Sequence, residues 1–265
     1  MLIVAERINA SRKAIRAALE QLDARTIQAE ARNQAVAGAD YIDVNGGTFP
    51  GREPELLSWL VEVVQEAVDL PLCLDSSDPA ALAAALPKLK RARPMINSIT
   101  LEGNRFANVL PLAREYKAKL IALCQGEGVP VSTAESKVAL ASQLIDRLTV
   151  GGIALDDLFV DPLVFPLATD PQSGRATLDA IGEVMRRYPG VHTICGLTNV
   201  SHGLPARKLI NRTFLVAAIS HGLDAVIADP TDVLLMAGIF AGEALLGRDE
   251  YCMTYIQGFR DGKLA

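Results

Sequence analysis

Eight short runs rich in Val, Ile, Leu and Cys, at 2–7, 40–45, 71–75, 94–98, 119–124, 158–161, 192–197 and 224–229, alternate with longer stretches of helical pattern. Strands joined by helix-length crossovers pair in parallel, because a tight hairpin joins only antiparallel neighbours. The chain of 265 residues matches the roughly 250 residues of one closed eight-unit α/β barrel. Half of the residues are hydrophobic and only 5% are aromatic. That suits parallel strands buried on both faces. The expected fold is therefore α/β, a (β/α)8 TIM barrel with residues 1–265 as a single domain.

Local punctuation supports the division. Asp78 before Pro79 reads as an N-cap with a first-turn proline, and Ser132 with Glu135 as a capping box. The segment between Leu2 and Gly38 has room for two helices, broken near Leu22 and Asp23, so an extra helix should stand by the barrel mouth. The connection from Pro162 to about Gly174 holds Pro162, Pro166 and Pro171 and reads as an ordered loop. Gly46, Gly47 and Gly51 around Phe49-Pro50 read as turn residues.

Several function classes are disfavoured. Net charge is −5, and the densest basic cluster, Lys88, Lys90, Arg91 and Arg93, reads as a solvated helix end, so no nucleic-acid partner is expected. Cys73, Cys124, Cys195 and Cys252 lack CxxC spacing and read as free thiols of a reducing compartment. His192, His202 and His221 lack metal-site spacing with them, so no intrinsic metal is expected. The opening Met-Leu-Ile-Val-Ala-Glu-Arg reaches charge within six residues, which reads as neither a signal peptide nor a membrane span. The expected location is cytoplasmic.

The apolar runs end in polar residues: Glu6 and Asn9, Asp43 and Asn45, Asp75, Asn97, Gln125, Asp161, Asn199 and Asp229. In an α/β barrel the C-terminal strand ends share one mouth, so these positions converge there. Buried carboxylates need donors, from the protein or from a ligand rich in N–H groups. Asn amides both donate and accept, and the Asp and Asn mixture suits a heterocycle edge better than a phosphate, which calls for Arg, Lys or a glycine nest. A single Asp or Asn after a strand is also a common turn former or N-cap. Asp229 before Pro230 fits that reading best, and Asp43 has a structural alternative as ion-pair partner of Arg7.

Glu6-Arg7-Ile8-Asn9, Asp40-Tyr41-Ile42-Asp43-Val44-Asn45, Cys73-Leu74-Asp75-Ser76, Ile96-Asn97-Ser98, Asp161-Pro162-Leu163, Gly196-Leu197-Thr198-Asn199-Val200-Ser201 and Leu209-Ile210-Asn211-Arg212-Thr213-Phe214 together resemble the methyltetrahydrofolate:corrinoid methyltransferases. These belong to the pterin-binding barrel superfamily, with dihydropteroate synthase and the folate module of cobalamin-dependent methionine synthase. The resemblance spans almost the whole chain. It implies tetrahydrofolate or 5-methyltetrahydrofolate as substrate, with Asp75, Asn97 and Asp161 anchoring the pterin and Asn199 reaching N5. Gly196, Ser201, His202 and Arg207 would line the same pocket, with Glu6, Asn9, Asp43, Asn45 and Gln125 as weaker candidates. It further implies a corrinoid (cobalamin) carried by a partner protein that docks at the C-terminal face, a homodimer, and methyl transfer in either direction.

Ala5 stands where the family usually has Gly, Gly46 where Val is common, and His202 at a variable position. Dihydropteroate synthases carry a Ser-Arg-Lys type element after the seventh strand and Arg-x-His after the eighth. Here those places hold Thr198-Asn199-Val200 and Asp229-Pro230-Thr231. A corrinoid-binding Asp-x-His-x-x-Gly motif is absent from the sequence. The alternatives are a synthase-like enzyme and a non-catalytic pterin-binding protein. The stretch 233–246 reads as the last barrel helix or as a dimer face.

Overall fold

The computed structural model describes every residue except Pro50, Arg91, Ala92, Val129, Pro130 and Ala265. Part of the basic cluster and of the glycine turn thus lies outside the described residues. The elements run β1 (Leu2–Asn9), α1 (Lys13–Gln21), α2 (Ala24–Val36), β2 (Tyr41–Asn45), α3 (Glu53–Gln65), β3 (Leu72–Asp75), α4 (Pro79–Ala85), β4 (Met95–Ile99), α5 (Arg105–Glu115) and β5 (Lys119–Leu123). They continue through α6 (Ala134–Val150), β6 (Leu158–Asp161), α7 (Ser173–Arg187), β7 (His192–Thr193), α8 (Arg207–Ser220), β8 (Ala225–Ala228), α9 (Val233–Leu245) and α10 (Met253–Arg260).

All eight runs become strands of one parallel sheet in the order β7-β6-β5-β4-β3-β2-β1-β8. A single bridge, Gly196 to Ile227, closes the seam between the ends. β7 is shorter than the expected 192–197, because at Gly196 the chain turns into a 3-10 segment, Leu197–Ser201. The split first crossover is present: Leu22 takes φ 51°, and Asp23 caps α2 by accepting from Arg25 N at 3.1 Å and Thr26 N at 3.3 Å.

Two corrections concern side chains. The capping box belongs to Thr133 and Ser136, each accepting the other's backbone N–H at 3.2 Å, because α6 starts at Ala134, too late for Ser132 and Glu135. Asp43 is not the partner of Arg7, whose guanidinium turns outward to Glu30 and, at 2.8 Å, to Asp229.

Successive strand residues face opposite sides, so one column per strand points into the barrel. Val4, Tyr41, Cys73, Met95, Ile121, Phe159, Ile194 and Ala225 pack there as an apolar plug. Two residues further along the same strands stand Glu6, Asp43, Asp75, Asn97, Leu123, Asp161, Gly196 and Ile227. On five of the eight strands the inward column thus changes from apolar to polar in one step, and the plug becomes the floor of a mouth. Outside the strands, a larger apolar layer holds the helices. Among the described residues no helix is long and apolar enough to cross a membrane.

Below the plug, His192 stacks on Phe159 with ring centroids 4.7 Å apart and meets Asp224 at 2.6 Å and Asp156 at 3.2 Å. The Asp224 hydrogen bond holds the imidazole's pKa above its ordinary value. A raised value favours the folded state below the unfolded value of roughly 6.5, and the gain is lost as pH climbs through the folded value. The melting-temperature gap between wild type and His192→Gln should therefore narrow from pH 5.5 to 8.5; a gap that widens contradicts this.

The loop after β6 is ordered by a buried cation. Lys137, 0% exposed, donates from Nζ to the carbonyls of Pro162 at 2.9 Å and Leu163 at 2.5 Å, and lies 5.2 Å from the centroid of the Phe165 ring. Lys137→Met leaves two buried carbonyls without a donor and should cost about 2–3 kcal/mol, lowering the melting midpoint by roughly 5–10 °C in thermal denaturation.

Candidate active site

The polar ends of the strands surround a cavity of about 1050 Å³ at the C-terminal face. Of the residues singled out from sequence, Glu6, Asn9, Asp43, Asp75, Asn97, Gln125, Asp161, Gly196, Asn199, His202 and Arg207 line it. Asn45 and Ser201 stand behind it. Asn45 donates from Nδ2 to Asp75 Oδ2 at 2.8 Å and accepts from Gly47 N at 3.0 Å, so the glycine turn after β2 orients the amide that orients Asp75. Ser201 is buried, and its hydroxyl accepts from Arg207 Nε at 3.0 Å.

Of the seven carboxyl groups that line this cavity four are held above their ordinary range, and burial is the largest influence on each. Burial pushes Glu6 up to about 7, against the opposing hydrogen bond from Thr198 Oγ1 at 3.2 Å. Asp75 rises to about 6 because burial outweighs the Asn45 bond and the nearby Arg105 charge. Asp161 also rises to about 6, with the backbone N–H groups of Leu163, at 2.8 Å, and Gly196 opposing burial. Asp43 is raised well above the carboxylate range, by burial first and by the charge of Asp75 second. Its Oδ1 is buried without a hydrogen-bond partner. An orphaned carboxyl oxygen facing a cavity invites a donor from a ligand.

Sequence reading missed Arg105. Its guanidinium donates to the carbonyls of Ser76, at 2.6 Å, Ser77 and Ser98, tying the ends of β3 and β4 together. It starts α5 within a run, Glu102-Gly103-Asn104-Arg105, that looks like an ordinary loop, so no pattern marked it. Thr198 was visible only as a neighbour of Asn199, although it holds Glu6. Arg12, Lys208 and Asp232 also reach the rim. Asp229 lines the rim too, yet accepts from Thr231 N at 2.9 Å and pairs with Arg7, so the turn-former reading describes its contacts.

Asn199 sits in the 3-10 turn after β7, exposed to the cavity. Arg207 braces that turn, donating from Nη2 to the Thr198 carbonyl at 2.7 Å. Beneath the amide lies Gly196, where a Cβ would stand 3.2 Å from Asn199 Nδ2. The glycine serves close approach: its φ of −71° is open to any L residue.

A floor of carboxyls and amides, with its cations set back, fits a ligand edge carrying amino and ring N–H donors. The family model described as pterin binding enzyme matches residues 5–229. The chain belongs to the pterin-binding enzyme family.

Its relatives share more than the fold. It is 38% identical over 270 aligned residues to the methylcorrinoid:tetrahydrofolate methyltransferase of Eubacterium limosum, covering 100% of this chain and 98% of that protein. It is 32% identical to the methionine synthase of Mycobacterium tuberculosis over 89% of this chain, which corresponds to 21% of that longer protein. Among solved structures, Yersinia pestis dihydropteroate synthase in a sulfonamide drug complex superposes with a TM-score of 0.72 at 17% identity, covering 93% of this chain and 94% of that one. That likeness establishes the barrel.

Gly196→Ala should fold, since the obstructing atom is the end of a rotatable side chain. It should displace the Asn199 amide while shifting the melting midpoint by less than about 3 °C, a change of roughly 1 kcal/mol or less. A crystal structure of the variant with Asn199 unmoved contradicts the close-approach account.

Proposed function

We propose that the chain is a methyltransferase that exchanges a methyl group between N5 of tetrahydrofolate and the cobalt of a corrinoid carried by a separate protein, acting as a single pterin-binding domain. The observation that carries this reading is the Asn199 amide, free over Gly196 above a floor of Asp75, Asn97 and Asp161. The full-length likeness to a methylcorrinoid:tetrahydrofolate methyltransferase supports the same chemistry, and its name supports transfer from methylcorrinoid to folate.

Each group has a distinct task. Asp75 and Asp161 accept from the amino and ring N–H groups of the pterin, and Asn97 offers a donor and an acceptor to the same edge. Their backing by Asn45, by the Leu163 and Gly196 N–H groups and by Arg105 fixes the ring before the partner arrives, so orientation lowers the barrier. Asn199 hydrogen-bonds at N5 and stabilises the positive character that develops there during transfer. The corrinoid supplies the cobalt end of the methyl bond. Its protein docks over the open C-terminal mouth, where Arg12, His202, Arg207 and Lys208 form the rim.

A dihydropteroate synthase-like condensation is disfavoured, because Thr198-Asn199-Val200 and Asp229-Pro230-Thr231 bring no cation where that chemistry uses one. Exposed apolar side chains cluster on α9, α10 and their connection, including Leu245 at 82%, Tyr251 at 84% and Phe259 at 73% exposure. That surface supports the expected homodimer.

Methyl exchange is tested by following the cobalamin spectrum with methylcobalamin and tetrahydrofolate, and in reverse with cob(I)alamin and 5-methyltetrahydrofolate. Asn199→Ala should lower turnover about 10²-fold with folate affinity nearly unchanged, as loss of a transition-state contact does. Asp75→Ala should weaken folate binding at least about tenfold, as loss of a charged hydrogen-bond partner does. Folate binding without methyl exchange in either direction, even with corrinoid proteins, indicates a non-catalytic pterin-binding protein.

A further inference from the structure

Methylation of tetrahydrofolate at N5 replaces an N–H by an N–CH₃ bond, so one proton leaves in that direction and one is needed in reverse. The N5–C bond forms as the Co–C bond breaks with its electron pair going to cobalt, which passes from Co(III) to Co(I). Asn199 can hydrogen-bond at N5 but does not hold a proton of its own at neutral pH. A titratable group beside N5 would exchange that proton more readily than bulk water.

We propose that Glu6 is that proton carrier, taking the N5 proton during methylation of tetrahydrofolate and returning it in the reverse reaction. This rests on the methyl-transfer reading above. Three features of the site single it out. Glu6 lines the same cavity as Asn199, and its Oε2 accepts from the hydroxyl of Thr198, the residue next to Asn199. The neighbouring Arg7 makes no contact with it, since that guanidinium is paired with Glu30 and with Asp229 at the rim. The other cavity carboxyls have partners away from Asn199: Asp161 the N–H groups of Leu163 and Gly196, Asp75 the Asn45 amide, Asp43 the Cys73 and Asn97 side chains, Glu102 the Gln125 amide, Asp229 Arg7 and Thr231, and Asp232 Arg212.

Glu6 is faced by Asp229 beyond β8, Arg12 beyond β1, Arg207 on α8 and Asp43 on β2, besides Thr198. The two cations lower its proton affinity and the two carboxyls raise it, but burial dominates and sets it at about 7. Near neutrality both forms are populated, as two-way proton exchange requires. The proton passes between N5 and the carboxylate through the Thr198 hydroxyl or water, so Glu6 acts on the transfer without holding the pterin.

Steady-state methyl exchange in both directions across pH 5.5–8.5 tests this with wild type, Glu6→Gln and Glu6→Asp. Wild-type turnover should rise through about pH 7 for methylation of tetrahydrofolate and fall through the same range in reverse, following the protonation of Glu6. Glu6→Gln should lose about 10²-fold in kcat and both slopes, with KM for folate nearly unchanged. Glu6→Asp should keep a sloping profile at an intermediate rate.

Stability gives a second readout. The folded value of about 7 lies above the ordinary 4.5, so ionised Glu6 disfavours the fold increasingly from pH 4.5 and fully above about 7. Glu6→Gln should therefore melt higher than wild type above pH 7. Wild-type slopes retained in Glu6→Gln, a loss confined to KM, or a lower melting point throughout would each overturn the role. A wild type that binds folate but moves no methyl overturns the methyltransferase reading, and the Glu6 role with it.

Discussion

Burial of Glu6, Asp43, Asp75 and Asp161 in one cavity is the constraint around which the C-terminal half of the barrel is arranged. Gathering carboxyl groups away from water is unfavourable through desolvation and mutual repulsion. The fold meets this with dipoles more than with cations: the Asn45 amide on Asp75, backbone N–H groups on Asp161, the Thr198 hydroxyl on Glu6. Arg105 and Lys137, the nearest buried cations, spend their donors on backbone carbonyls instead. A contact ion pair would have lowered the carboxyls and filled their acceptor sites. Dipolar support leaves them raised and receptive to a donor-rich ring.

That support is layered. Lys137 fixes the Pro162–Leu163 turn whose N–H reaches Asp161, and Arg207 fixes the 198–201 turn that carries Thr198 and Asn199. The turns that carry the cavity's side chains are thereby fixed by cations bound to backbone carbonyls, which is how a site keeps its geometry before any ligand enters.

The fold and the floor were largely legible in the sequence, for one physical reason. A strand's period of two places Val4 and Glu6, Tyr41 and Asp43, Cys73 and Asp75, and Phe159 and Asp161 in single inward columns, so an apolar run ending in a carboxylate announces a plug beneath a mouth. Side-chain partnerships were not legible. Arg7 lies next to Glu6 in sequence yet faces the opposite side of the strand, and Arg105 reaches Ser76 across 29 residues. Cap positions shifted by one residue, as at Thr133, because a Ser-Thr pair offers two equivalent starts and only the helix geometry chooses. Asn45 shares the inward column of Asp43 but its amide is taken up by Asp75 and Gly47, and Ser201 is buried in the 3-10 segment against Arg207, partnerships that no strand or helix period reveals.

The barrel closes unevenly. Seven neighbouring strand pairs form parallel ladders, with register shifts between Ala5 and Ile8 and between Asn97 and Ile99, whereas the seam between β7 and β8 is held by the Gly196–Ile227 bridge. Asp75 and Asn97 pair with each other across β3 and β4 on the opposite wall, and Asn199 rides on the turn leaving the seam. Asn199 thus follows the junction of the sheet held by the fewest strand pairings, while Asp75 and Asn97 stand on strands paired on both sides. The seam is therefore the place where the wall of the mouth depends on side-chain and turn contacts more than on strand pairing.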